Sequence, residues 1–349
     1  MSRADIILDK NFEIPSAINK SGMTFYDAKE LSLHGIEYID GKYRRMKATD
    51  AEAIGEKVFM ISSESAGGRV KFKTDSNRIA IYAEYHSVSK VSNYSLSATM
   101  GFDIYANERF IGVFVPPFDT VDSYESLITL PYADGSMQEY TVNFPICSEV
   151  KKLLIGIDDN SSIALGTSYK TDFPIVFYGS STTQGACASR PGNAYPNMVS
   201  RRLDADFINL GFWGNAKGEE AMASYIARLD MSAFVYDYDY NAPSAEHLMA
   251  THEKMFSIIR KANPSLPIII MSAPKPYPTE EDLERISIIK ITYENAVKNG
   301  DENVYFLSGT EILTSVKDSA LADNIHPGDI GFAAIANAVA SILKEQLCL

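Results

Sequence analysis

Pro174 to Gly185 reads PIVFYGSSTTQG, an apolar run that halts at a glycine and is followed by four hydroxyl residues. Ile175, Val176 and Phe177 have the β-branched and aromatic character of a buried strand in a parallel sheet, and Gly179 allows a tight exit from it. Ser181 is therefore expected on a turn at the strand's carboxyl end, where open α/β sheets hold their ligands. Turns and helix caps use hydroxyl residues too. What the cluster means depends on the rest of the chain.

Far downstream, Asp323-Asn324-Ile325-His326-Pro327-Gly328 sets a carboxylate three positions before an imidazole, ahead of the apolar, alanine-rich stretch from Ile330 to Leu343. A serine hydroxyl becomes nucleophilic at neutral pH when a base takes its proton, and the base needs a partner that fixes its tautomer. Ser181, His326 and Asp323 are the candidates for these three roles. Two further polar interruptions follow apolar runs: Gly211-Phe212-Trp213-Gly214-Asn215 after Phe207 to Leu210, and Tyr240-Asn241-Ala242-Pro243 after Phe234 to Tyr236. If these strands are parallel, all four polar stretches meet at one sheet edge. The N–H groups of Ser181 and Gly214 and the Asn241 amide then become candidate donors to an oxyanion.

The order Ser, Gly, Asn, His resembles that of the SGNH (GDSL-type) hydrolase superfamily over roughly residues 172 to 349. Gly179-Ser180-Ser181-Thr182 is similar to its first block, Ile208 to Asn215 to the second, Asp239 to Pro243 to the third and Asp323 to Pro327 to the fifth. Two positions depart from the pattern: Ser180 stands where the family usually has aspartate, and Ala242 where an aspartate often follows the asparagine. These departures resemble a branch with a GSS nucleophile turn. The resemblance implies a carbohydrate O-acetyl esterase activity and an amino-terminal β-rich domain.

At 349 residues with 46% hydrophobic content, the chain has the length and apolar supply for two domains. A formal net charge of −13 argues against nucleic acid and anionic membrane surfaces as partners. Met1-Ser2-Arg3-Ala4-Asp5 runs into an acidic, mixed segment, and no apolar run approaches the ~18 residues of a membrane span. The chain as it stands reads as cytoplasmic, or as secreted if a leader has been removed. Cys147, Cys187 and Cys348 have neither a disulfide framework nor metal-ligand spacing, so no cofactor or metal is expected. Cys187 reads as a small packing residue. Nothing in the motifs fixes an oligomeric state.

Residues 1 to 60 read as short strands and loops. From Gly68 onward, strands recur at short intervals: Val70 to Lys73, Ile79 to Tyr85, a hairpin through Asn107-Glu108, Leu127 to Leu130, Tyr140 to Phe144 and Leu153 to Ile157. This is the pattern of a jelly-roll-like β-sandwich, assigned to residues 1–165. Its tyrosines 82, 85, 94, 105 and 124 suit either packing or stacking on sugar rings. A polar linker, Asp158 to Asp172, leads into residues 166–349, where five strands alternate with helices. The fold class expected there is a three-layer α/β/α, flavodoxin-like sandwich.

No glycine-rich phosphate loop is present. A metal centre built from Asp237, Asp239, Asp323 and His326 lacks a second histidine at the site. His247 and His252, about 140° apart on a helix at ~100° per residue, read as surface residues. Arg190 either clamps a polar substrate group or anchors its own loop. Trp213 either walls the pocket or packs in the core. Asp237 and Asp239 are either solvated carboxylates at a strand exit or acceptors for substrate hydroxyls. The expected reaction is removal of short acyl groups, acetyl above all, from a carbohydrate or small polar ester. A lysophospholipase or thioesterase, and a carbohydrate-binding protein with a vestigial hydrolase domain, are the alternatives.

Overall fold

The computed structural model describes residues 20–131 and 133–349. The expectations for residues 1–19 lie outside the described residues.

The amino-terminal part is a β-sandwich. One antiparallel sheet has the order Met23–Asp27, Glu149–Asp158, Arg78–Ser87, Ser123–Thr129. The facing sheet runs Arg69–Thr74, Gln138–Asn143, Phe102–Ala106, Arg109–Phe114, and Ser32–His34 and Ile163–Leu165 share its free edge along Arg69–Thr74. Alternate residues such as Val70, Phe72, Ile79, Ile81, Ile104 and Ile155 point inward, as the two-residue period of a half-buried strand requires. Tyr85, Tyr105 and Tyr124 are buried, so packing accounts for them.

Helices in this half were not anticipated: Ala48–Ile54, Glu56–Ile61 and the single turn Leu96–Thr99, of which the first two adjoin. Gly55 separates these two, with φ 158, and so divides their apolar positions into two runs too short to show a helical period. Ala51, Val58 and Ile61 do not join the sandwich core; they enter the core of the carboxyl-terminal half, beside Met222, Ala223 and Ile226.

That half is a five-stranded parallel sheet in the order Phe207–Gly211, Ile175–Gly179, Ala233–Asp237, Ile268–Met271, Val304–Leu307. Helices cover both faces: Glu220–Ile226, Ala245–Ala262 and Glu280–Lys298 lie over one core, and Tyr195–Leu203 and Asp329–Gln346 over the other. The order 2-1-3-4-5 is that of a flavodoxin-like three-layer sandwich, and it makes Ile175–Gly179 the switch point where the winding reverses. His252 is buried rather than on the surface. Its ring stacks on Tyr236 and Tyr238, its Nδ1 meets Thr292 Oγ1 at 2.8 Å, and burial lowers its pKa to about 3.

The two halves meet along the edge strand Phe207–Gly211. Arg69 Nη2 donates to the Phe207 carbonyl at 3.1 Å, and Arg45 Nη1 donates to the carbonyls of Asn209 at 3.0 Å and Gly211 at 2.7 Å. Both guanidinium groups are buried, and Arg69 lies 3.8 Å from the centre of the Phe207 ring. Three alternate carbonyls of an otherwise unpaired strand edge are thereby satisfied by side chains of the other half.

Candidate active site

Gly179 ends the strand Ile175–Gly179, and only glycine fits there. A Cβ at this position would lie 1.7 Å from Asp237 Oδ1 and 2.3 Å from Thr183 Oγ1. The chain then turns at Ser180, whose hydroxyl caps the short helix Ser181–Gln184 by accepting from the Thr182 N–H at 3.2 Å. Ser181 opens that helix and is partly exposed, while Thr182, Thr183 and Gln184 are buried.

The loop from Asp323 to His326 arrives opposite. Ser181 Oγ lies 2.9 Å from His326 Nε2, and His326 Nδ1 lies 2.8 Å from Asp323 Oδ2. The other carboxylate oxygen, Oδ1, accepts from the backbone N–H groups of Ile325 at 2.7 Å and His326 at 2.6 Å. Partial burial acts to raise the Asp323 pKa, but these hydrogen bonds outweigh it and hold the carboxyl well below the usual range. The carboxylate thus stays charged and fixes the ring, with Nε2 turned to the serine.

The other predicted residues separate into groups. Gly214 has φ +71, a backbone conformation that glycine adopts without strain, and its N–H has no partner among the described residues. Asn241 Oδ1 accepts from the Ala216 N–H at 3.2 Å, which leaves its NH₂ as the free end of the amide. Trp213 is 44% exposed, so it is not a core residue. Arg190 is an anchor: its Nε donates to Tyr105 Oη at 3.3 Å, it lies 3.5 Å from Asp103, and it stacks 4.0 Å from the centre of the Phe110 ring, all in the first half.

Asp237 and Asp239 are not solvated carboxylates at a strand exit. Both are buried. Asp237 lies under the turn that carries Ser181, accepting from Thr183 Oγ1 and from the Ser180 N–H at 3.4 Å, and burial pushes its pKa up to about 8. Asp239 accepts from the Ala273 N–H at 2.8 Å and from its neighbour Tyr240 N–H at 3.1 Å, and burial raises it to about 6. Strand ends are commonly polar because they emerge, but Asp237 turns beneath the helix Ser181–Gln184 and Asp239 turns towards the Ala273 backbone beyond the strand Ile268–Met271.

Three residues of the first half reach the site. Asn93 Nδ2 donates to Asp323 Oδ2 at 2.6 Å, and the Tyr94 ring meets His326 edge-on with centroids 5.8 Å apart. Glu64 Oε2 accepts from Gln184 Nε2 at 2.5 Å and Trp213 Nε1 at 3.0 Å. Burial raises the Glu64 carboxyl to about 7, against the opposing pull of the Arg45 charge. Cys187, with φ +67, directs its thiol to Asp323 Oδ2 at 3.4 Å. Cys187, Asp323 and His326 are the group among the described residues whose ligand atoms lie within 4.8 Å of one another, and all three are engaged in the hydrogen-bonded chain.

The model of the GDSL-like lipase/acylhydrolase family matches residues 172–344, and that of the N-terminus of SGNH-hydrolase-type esterases matches residues 23–163. The chain belongs to the SGNH/GDSL-type hydrolases, in the two-domain form with an amino-terminal β-sandwich. A structure described as a GDSL-like lipase from Bacteroides ovatus is 27% identical, with a TM-score of 0.84 over 93% of this chain and 98% of that one. The salicylyl-acyltransferase SsfX3 from a tetracycline biosynthetic pathway shares the fold at 17% identity and a TM-score of 0.74, over 91% and 96% of the two chains. A family two carbohydrate esterase from Clostridium thermocellum, in complex with cellohexaose, shares it at 12% identity and 0.62, over 90% and 99%. No curated protein matches. No helix of the described residues is long and apolar enough to cross a membrane.

Proposed function

We propose that the protein is a serine esterase that removes short acyl groups, acetyl above all, from hydroxyls of a carbohydrate or a related small polar molecule. The observation that carries this reading is the continuous chain from Ser181 Oγ through His326 to Asp323, at 2.9 and 2.8 Å. Ser181 Oγ attacks the ester carbonyl while its proton passes to His326 Nε2. The negative charge on the carbonyl oxygen is met by the N–H groups of Ser181 and Gly214 and by the Asn241 NH₂. Collapse breaks the bond to the alcohol oxygen, which takes the proton from His326, and leaves an acyl-serine. A water molecule, deprotonated by His326, then attacks the acyl carbonyl; the carboxylic acid leaves and Ser181 recovers its proton.

The choice of acyl and alcohol halves draws on two supports. Gln184, Glu64 and the half-exposed Trp213 make the flank of Ser181 polar, which suits an acetyl group better than a long acyl chain. Carbohydrate esterases are among the solved structures that share this two-domain fold. A lysophospholipase or thioesterase would need an apolar channel at this flank, and all three members of the proposed triad stand at bonding distance, which speaks against a decayed hydrolase. We place the division between the domains at residues 165 and 166.

The test is hydrolysis of a series of aryl esters from acetyl to octanoyl, beside acetylated sugars, by wild type and Ser181→Ala. Ser181→Ala should lose roughly three to six orders of magnitude in turnover while still binding substrate. Retained activity in Ser181→Ala, with loss in Ser180→Ala, would move the nucleophile to the neighbouring residue. Preference for octanoyl esters would favour the lipid or thioester reading.

A further inference from the structure

The acyl-transfer chemistry leaves unused the Glu64 carboxyl, which is held to Gln184 and Trp213. Glu64 comes from the first half, directly after the helix Glu56–Ile61. Its Oε2 is fully engaged, taking donors from Gln184, three residues beyond Ser181, and from Trp213, next to Gly214. Its Oε1 accepts no hydrogen bond from any described residue, and it is not among the enclosed polar atoms that lack a partner. That oxygen is therefore in contact with solvent, on a carboxyl otherwise held in place by two donors.

Above about pH 7, where the carboxyl that burial has raised is ionised, its oxygens only accept, so the complement is a donor: a hydroxyl or an ammonium group. The buried Arg45 guanidinium, electrostatically coupled to Glu64, already balances the negative charge there. A cation arriving at Oε1 would meet an ion pair; a neutral hydroxyl would meet a strong acceptor. Hydrogen bonds to charged groups are worth roughly 1.5–3 kcal/mol, about 10- to 100-fold in a specificity ratio.

We propose that Glu64 is a specificity-determining residue whose Oε1 accepts a hydrogen bond from a hydroxyl of the substrate, so that the site selects esters of polyhydroxylated molecules. This rests on the acyl-transfer role given above to Ser181, His326 and Asp323. Glutamine at position 64 keeps one oxygen for Gln184 and Trp213 but turns Oε1 into an NH₂, replacing the acceptor with a donor.

The experiment measures kcat/KM for a mono-O-acetyl methyl xyloside with free hydroxyls and for its O-methylated counterpart, in wild type and Glu64→Gln. Wild type should prefer the free hydroxyls by at least about 10-fold, and Glu64→Gln should bring that ratio close to one, mainly through KM. Wild type without such a preference would overturn the proposal whether or not the variant folds. So would a Glu64→Gln enzyme that loses activity on both esters equally and keeps the ratio, for then Glu64 only holds Trp213 and Gln184. Retained turnover of 4-nitrophenyl acetate by Ser181→Ala would instead remove the acyl-transfer reading, independently of any ratio at Glu64.

Discussion

Asp323 Oδ2 receives two nitrogen donors at once, the His326 ring at 2.8 Å from within its own loop and the Asn93 amide at 2.6 Å from the β-sandwich, beside the Cys187 thiol at 3.4 Å. The second donor spreads the charge that the first one uses. Asn93→Leu should therefore sharpen the pull of Asp323 on the imidazolium while loosening its position. We expect kcat to fall about 10-fold with KM within about 2-fold, and the acidic limb of kcat/KM to move up by roughly 0.5 pH unit. Asn93→Asp, which adds a charge, should move it further. The groups that also face this pair are Tyr94, Cys187 and Tyr240, all unchanged in the variants. Superimposable pH profiles for wild type and both variants would reduce Asn93 to a packing contact.

The pH dependence of the wild type follows from the charge states. Asp323 is held ionised far below neutrality, so its protonation does not shape the profile in the neutral range. The reaction needs His326 Nε2 unprotonated when it takes the Ser181 proton, so the rate should fall once the solution is acid enough to protonate that ring. A rate that stays flat on acidification, or that depends on an added divalent metal and disappears with a chelator, would contradict the serine mechanism.

Stability should run the other way. Burial raises Asp237 to about 8, Glu64 to about 7 and Asp103 and Asp239 to about 6. With folded pKa values above the unfolded ones, the fold holds protons that the unfolded chain has released. Stability is highest below about pH 4 with respect to these groups and declines as pH rises from there towards 8, by at most about 1.4 kcal/mol per pH unit per proton. Asp237→Asn should flatten the upper part of that decline. Denaturant midpoints at pH 5, 6, 7 and 8 measure it, and equal slopes in variant and wild type would mean that Asp237 is charged in the fold.

Trp213 offers a test of the acyl wall that is separable from folding, because the ring is 44% exposed and belongs to neither core of the carboxyl-terminal half. Each methylene gains about 0.8 kcal/mol only if an apolar surface receives it. Wild-type specificity should fall from acetyl to butyryl and beyond, and Trp213→Ala should shift it towards longer chains. An unaltered chain-length profile would place the indole away from the acyl group.

The strand Ile175–Gly179, its turn and the DNIHP loop were legible because the candidate groups Ser181, Asp323 and His326 each lie within a few residues of a sharp change in hydropathy. Strand and helix spans from Tyr195 to Gln346 followed for the same reason: buried strands and amphipathic helices alternate there with clear breaks. Glu64, Asn93 and Arg45 had no such signal. They act on Trp213, Asp323 and Gly211, 149, 230 and 166 positions away, and only the docking of one half on the other brings them there. Asp237, Asp239 and His252 misled because polarity suggests exposure, whereas each has its own buried partners.

The arginines on the Phe207–Gly211 carbonyls also set what kind of modularity this protein has. Residues 166–349 taken alone would display a bare strand edge, three carbonyls without donors and an apolar patch where Ala51, Val58 and Ile61 now sit. Such a fragment is a template for edge-to-edge aggregation. The two halves are better regarded as one inheritable unit than as an enzyme with an interchangeable attachment, and grafting the hydrolase half onto another scaffold would require a new sheath for that strand.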